Sequence, residues 1–294
     1  MRHGEHRGLA VCHRAPPRTP GRAGAAELSH IALCTDSSSL LSPAAAAALA
    51  VEVVPIAVAL DGEPFDGPID AFYGRMREGA AATTSQPSPA AFLAAYARAA
   101  TAGATSVVSL HLDSRVSGVT ASAEIAARDA SIPVTVIDLP TVSYGVALCL
   151  RAAHSALVSG LGAREAQAAA TELALSLDNV FVAPTAPGGR VPASDGWALL
   201  RFADGVVAPL SSHPTIEEAT ETMTRLAAAA GRELVAVGHA SRDVEAAADR
   251  FAHDLLREGV GAVERYRVYP RVGAHTGPDS FGAFWCQTAA GVSS

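Results

Sequence analysis

Ser29-His30-Ile31-Ala32-Leu33-Cys34, running into Thr35-Asp36-Ser37-Ser38 and then Ser42-Pro43, is the stretch that decides the fold class. Four apolar residues ending in a polar cluster read as a buried strand leading into a loop. Ser42 supplies a side-chain acceptor for a helix start, and Pro43 suits the first helical position, where its missing N–H costs nothing. The unit then recurs. A strand is expected over residues 51–60, a helix over 69–78, and a helix opened by Ser88-Pro89 that runs to Ala102. Strand 105–110, helix 119–128, strand 133–138 and a helix from Ser143 to about Ser159 follow. This alternation predicts a parallel sheet with helices on both faces, a three-layer α/β domain.

Beyond Gly160-Leu161-Gly162 the pattern changes. A helix over 163–177 and a strand over 179–183 lead to a Pro/Gly-rich turn at 184–189. Asp204-Gly205 between two apolar runs is a hairpin signal. Helix 215–230, strand 234–237, helix 244–258 and strand 262–269 complete an α+β unit. The expected organisation is an extension at 1–28 without fold, an N-terminal α/β domain at 29–160 and a C-terminal α+β domain at 161–288.

Of the 294 residues, 49% are hydrophobic and 17% charged, enough to bury two cores. The net charge is −7 and all basic residues are Arg, with no basic patch for a phosphate backbone, so nucleic acid is not an expected partner. The four Cys are scattered, with no paired spacing and no Cys/His cluster for a metal, which fits a reduced cytoplasmic protein without metal or cofactor. No apolar stretch reaches the length of a membrane span, and the first 27 residues carry five Arg and no apolar segment of a secretory signal.

Three polar loops fall where strands end and helices begin: residues 35–39, 83–89 and 114–120. In open α/β sheets such ends line one crevice, and hydroxyls with free helix-start N–H groups suit an anion there. Each loop taken singly is more often just a cap and turn, and it is the convergence of the three that is informative. Gly188-Gly189-Arg190 adds a cation after two residues that allow close backbone approach, and His275-Thr276-Gly277-Pro278 adds an imidazole beside a turn. Dinucleotide, Walker and G-x-S-x-G motifs are missing.

Thr35-Asp36-Ser37, Thr84-Ser85-Gln86-Pro87-Ser88-Pro89, Val116-Ser117-Gly118, Gly188-Gly189-Arg190 and His275-Thr276-Gly277-Pro278, in this order, resemble the DegV family of fatty-acid-binding proteins. Asp138 followed by Ser143 and Gly145 fits it too. The resemblance implies two α/β domains and a long-chain fatty acid held in a tunnel, its carboxylate at the domain junction. It implies that Thr84 and Ser117 donate hydroxyl hydrogen bonds to that carboxylate, that the Gly118 amide lies nearby, and that Arg190 and His275 border the head group. A carboxylate removed from water needs several donors and preferably a cation. The resemblance also implies presentation of the fatty acid to a separate fatty acid kinase, with no enzymatic activity of the chain's own. This chain departs from the family at Val119, at His213 and at Asp279, which adds a carboxylate where the family carries Gly-Pro-Gly. Two alternatives stand beside the carrier: a hydrolase or acyltransferase using Ser117 and His275 as nucleophile and base, and a member that keeps the fold without the ligand.

Overall fold

A computed structural model describes residues 30–184, 196–230 and 233–286. The extension at 1–28 and the Gly188-Gly189-Arg190 segment therefore lie outside the described residues. The first half runs β1 (Ile31–Asp36), α1 (Pro43–Ala48), β2 (Val51–Val54), β3 (Ala57–Leu60), β4 (Glu63–Pro64), α2 (Ile69–Arg77), β5 (Ala82–Ser85), α3 (Pro89–Thr101), β6 (Ser106–His111), α4 (Val119–Arg128), β7 (Val134–Asp138), α5 (Tyr144–Val158) and α6 (Ala163–Ser176). The second comprises β8 (Leu177–Pro184), β9 (Trp197–Ala203), β10 (Val206–His213), α7 (Ile216–Ala230), β11 (Leu234–His239), α8 (Glu245–Arg257), β12 (Ala262–Arg267), α9 (Pro270–Thr276) and β13 (Phe281–Cys286).

The expected parallel sheet is present, with order β2-β1-β6-β7 and every pairing parallel. Its strands are apolar on both sides because both faces are covered. One face packs Phe92, Tyr96, Ala99, Ala123 and Ala126 of α3 and α4 over Cys34 and Val107. The other packs α5 and α6 over Leu33, Val108 and Leu110. Ala166, Ala170 and Ala174 recur every fourth residue along α6 and are buried in that same cluster, so α6 presents one stripe of small side chains to the core. The core thus changes between α6 and β8.

The single strand expected over 51–60 is two strands. Pro55 follows β2 and carries no N–H for a sheet ladder, and β3 then leaves the parallel sheet for a small antiparallel one, ordered β4-β3-β5. Residues 82–85, read as loop, form β5, antiparallel to β3 with Val58 opposite Thr84. The capping signals hold: Ala45 N–H donates to Ser42 Oγ at 3.1 Å and Ala91 N–H to Ser88 Oγ at 3.3 Å.

The second half is a six-stranded sheet of order β10-β9-β8-β13-β11-β12, mostly antiparallel, with only β11 and β12 parallel. Asp204 and Gly205 both adopt positive φ (52° and 77°), the backbone of a tight hairpin turn between β9 and β10. The period of two sorts its side chains between two cores. Val235 and Val237 of β11 and Phe281, Ala283 and Trp285 of β13 pack with α7 and α8. The intervening Ala236 and Phe284 face the first half and join Leu40, Val58, Phe72, Tyr73, Tyr144 and Leu148 in an apolar layer between the halves. Polar contacts lock this layer: Arg151 binds Glu264 through both guanidinium nitrogens at 2.5 Å, and Tyr144 stacks on Tyr266 with ring centroids 4.0 Å apart. Neither α9 nor β13 was expected from the sequence, which placed the last strand at 262–269.

Candidate functional site

Thr84 sits on β5 and faces the last turn of α9, where His275 Nε2 lies 3.0 Å from Thr84 Oγ1 across 191 residues of chain. The short helix is fixed from several directions. Pro270 occupies its first turn, Gly277 closes it at φ +86°, a conformation that glycine adopts without strain, and Ser280 Oγ donates to Thr276 Oγ1 at 2.8 Å. Gly273 abuts the ring of Tyr73 on α2 so closely that a Cβ there would lie 2.1 Å from the Tyr73 hydroxyl. That hydroxyl in turn donates to the Val268 carbonyl at 2.7 Å.

Two residues beyond Thr84, the Gln86 side chain reaches the start of α4 and lies over Gly118, where a Cβ would meet Gln86 Oε1 at 2.0 Å. Ser117, half-buried, accepts the Val119 N–H at 3.4 Å. The loop carrying it is pinned from behind. Ser114 donates its N–H and hydroxyl to the Asp138 carboxylate at 2.8 and 2.5 Å. Asp113 holds Arg115 through a side-chain pair, and those bonds pull the Asp113 carboxyl below the usual carboxylate range although burial opposes them. One edge of the domain junction thus carries Thr84 and His275 in contact, with Gln86 joining β5 to the Ser117-Gly118 turn. Arg190 lies outside the described residues. Gln86, quoted within the motif but given no role, is the residue that sequence reasoning missed at this edge. Its signal was the Pro87-Ser88-Pro89 run, which stops β5 and aims the chain at α3.

Two expectations about the surroundings change. The first polar loop does not line an open crevice: Thr35, Asp36 and Ser39 are fully buried. Asp36 accepts from Ser38 N–H and Oγ at 2.9 and 2.5 Å and pairs with His111 Nδ1 at 2.8 Å. His111 Nε2 meets Ser109 Oγ at 2.8 Å, and Tyr96 OH donates to Ser109 at 3.1 Å. The order Asp-His-Ser is that of a nucleophile and its relay, but Asp36, His111 and Ser109 are all 0% exposed, so no substrate reaches the hydroxyl. Secondly, the extra carboxylate of Asp279 is ion-paired with Arg77, which also binds Asp243 and Ser241, so it does not stand as a bare negative charge.

The DegV family profile, described as one of uncharacterised proteins, matches residues 30–288. A DegV domain-containing protein of Streptomyces coelicolor is 30% identical over 280 residues, covering 86% of this chain and 97% of its own length. The chain belongs to the DegV family. Among solved structures it is similar to a fatty-acid-binding DegV family protein from Thermus thermophilus, with a TM-score of 0.77, 26% identity, and coverage of 88% of this chain and 100% of that one. A Thermotoga maritima protein whose structure was described as revealing a fatty-acid-binding function superposes with a TM-score of 0.78 at 23% identity, over 88% of this chain and 99% of the other, and speaks to the DegV fold. Among the described residues no helix is long and apolar enough to cross a membrane, and no cluster of three or more His, Cys, Asp or Glu could hold a metal ion.

Proposed function

We propose that this DegV chain binds a long-chain fatty acid, its carboxylate at the Thr84, Ser117, Gly118 and His275 edge with Arg190 bordering it, and its acyl chain in the apolar layer between the two halves. The observation that carries this reading is the 3.0 Å approach of His275 Nε2 to Thr84 Oγ1, two polar groups drawn together at the mouth of an apolar interface. Donors at one end and an apolar layer behind them are what a carboxylate and its hydrocarbon tail require. The fatty acid binding of the Thermus thermophilus relative supports the same assignment.

Burying each methylene contributes about 0.8 kcal/mol, so a tail of some fourteen of them gives on the order of 11 kcal/mol gross before immobilisation is subtracted. The head group orients more than it holds, because desolvation offsets much of its hydrogen bonding. The chain acts as a carrier in the cytoplasm, without turnover of its own, and hands the acid to a separate fatty acid kinase. Supporting the carrier over a hydrolase, His275 contacts Thr84 while Ser117 Oγ takes the Val119 amide. Denaturing extraction of protein purified from a bacterial host, followed by mass spectrometry, is expected to yield an acid of roughly fourteen to eighteen carbons. Protein that is empty as purified, and still empty after incubation with palmitate and oleate, refutes the assignment. Release of chromophore from a long-chain ester, lost in Ser117→Ala, would favour the hydrolase instead.

A further inference from the structure

The apolar layer between the halves is closed. Leu40, Phe72, Tyr73, Ala147 and Ala236 within it are each no more than 2% exposed, so a hydrocarbon tail cannot slide into it along a standing groove and some element must move aside. The fastening of α2 marks it as that element. Asp70, Tyr73 and Arg77 recur at i, i+3 and i+7, which puts them on one stripe of the helix, and all three bind the second half. Asp70 pairs with Arg242 at 2.7 Å and with Arg267 at 3.1 Å, the Tyr73 hydroxyl donates to the Val268 carbonyl, and Arg77 pairs with Asp243 and Asp279 and donates to Ser241 Oγ at 2.9 Å. The hydrogen bond from Arg267, reinforced by Arg242, holds the Asp70 carboxyl below the usual carboxylate range. Among the described residues, the one polar side-chain tie from α2 to the rest of the first half is Arg75 to Asp61, at 3.1 Å.

We propose that α2 is a gate for the acyl chain, latched to the second half by Asp70 and Arg77. The inference rests on the fatty-acid reading above and adds the route by which the tail enters and leaves. Phe72 and Tyr73 are the part of α2 that covers the tail's place, since both sit in the apolar layer. The helix has a hinge at its far end: Gly79 adopts φ +100°, and a Cβ there would meet nothing within 4 Å, so the chain can turn at this point without collision. The latch is suited to opening, because Asp70, Arg242 and Asp243 are solvent-exposed, and pairs of that kind are weak and screened by salt. The other clamp across the junction, Arg151 with Glu264, is less exposed and sits on α5, which Val146, Cys149 and Leu150 anchor under the parallel sheet, so that helix stays in place while α2 moves.

The test is the release rate of cis-parinaric acid, a fluorescent long-chain acid, chased from the full chain by excess oleate. Arg77→Ala and Asp70→Asn should each speed release about fivefold or more, while Arg75→Ala, which breaks the pair with Asp61 inside the first half, should leave it within about twofold. Raising sodium chloride from about 0.05 to 0.5 M should speed release from the wild type, and do so less in the Asp70→Asn/Arg77→Ala double variant. Hydrogen exchange followed by mass spectrometry needs no ligand: peptides spanning residues 69–77 should exchange faster in Arg77→Ala than in the wild type, with those of β1 and β6 unchanged. Unchanged release in both single variants, an equal salt effect in wild type and double variant, or unchanged exchange over residues 69–77 would overturn the gate. Failure of the wild type to bind parinaric acid would instead overturn the fatty-acid reading, and the exchange result would still decide whether Asp70 and Arg77 latch α2.

Discussion

Adding one methyl group at Gly273 should damage the site two residues away. A Cβ there would lie 2.1 Å from the Tyr73 hydroxyl and 2.7 Å from two of its ring carbons, against the 3.5–4.0 Å that carbon contacts prefer. The Tyr73 ring cannot swing aside cheaply: it is 1% exposed, packed on Phe72 with ring centroids 5.3 Å apart, and hydrogen-bonded to Val268. Relief must come from α9, which would have to retreat by about 1.4 Å to restore ordinary contact. Moved that far, His275 no longer reaches Thr84, since 3.0 Å becomes roughly 4 Å. We predict that Gly273→Ala costs about 1–3 kcal/mol of stability as an overpacked core. Loss of a hydrogen bond to a charged head group adds about 1.5–3 kcal/mol of binding, or roughly ten- to hundredfold in palmitate affinity. Urea denaturation and fluorescence titration measure the two effects. Tyr73→Phe removes the nearest clashing atom, so Gly273→Ala should cost at least about 0.5 kcal/mol less in that background. A Gly273→Ala protein with wild-type midpoint and affinity, or strictly additive costs in the pair, would refute this account of how α9 is positioned.

Three further outcomes are expected. Thr84→Ala and Ser117→Ala should each weaken fatty-acid binding by about 1.5–3 kcal/mol, and unchanged affinity in both would remove the proposed head-group site. His111→Leu strands the Asp36 carboxylate among buried groups, so chemical denaturation should show a loss of about 3–5 kcal/mol; a loss below 1 kcal/mol would mean that the pair does not hold β1 to β6. Stability should also fall with acid through His239. Burial keeps its folded pKa near 4 against 6.5 in the unfolded chain, so the unfolded state takes up the proton first and this contribution, complete above pH 6.5, is lost as pH falls towards 4. Between pH 7 and 4.5 the loss from this group is about 2.5 kcal/mol, and His239→Phe should flatten the stability profile over that window relative to wild type.

The features readable in the sequence are those whose causes are local. Ser42-Pro43, Ser88-Pro89 and Asp204-Gly205 carry their own capping or turn chemistry, and the strand-loop-helix rhythm follows from periodicity alone. What escaped depends on distant partners. Thr83, Thr84 and Ser85 are small and polar, and become a strand only because β3 offers an edge to pair with. The α9 segment, with Gly273 inside it and only seven residues, has too weak a pattern to read as a helix and is held by Tyr73. Asp36 reads as a loop residue until His111, 75 positions away, draws it inside. The break after β2 is different: its cause, Pro55, is local, yet one strand was expected to run through it. At the candidate site the family motifs named Thr84, Ser117, Gly118 and His275, yet their assembly through Gln86 and Gly273 became visible only in three dimensions.

The position of β13 has a consequence for how the chain must be made. It lies inside the six-stranded sheet, hydrogen-bonded to β8 on one side and β11 on the other, although it is the last strand among the described residues. Until the ribosome has released residues 281–286, β8 and β11 each show a bare edge to the cell, and such edges pair readily with other chains. The nascent second half is thus two unfinished sheets waiting for one keystone strand. Deleting residues 281–286 would leave both edges permanently open, so that variant should be found in inclusion bodies where larger losses from an exposed loop would stay soluble.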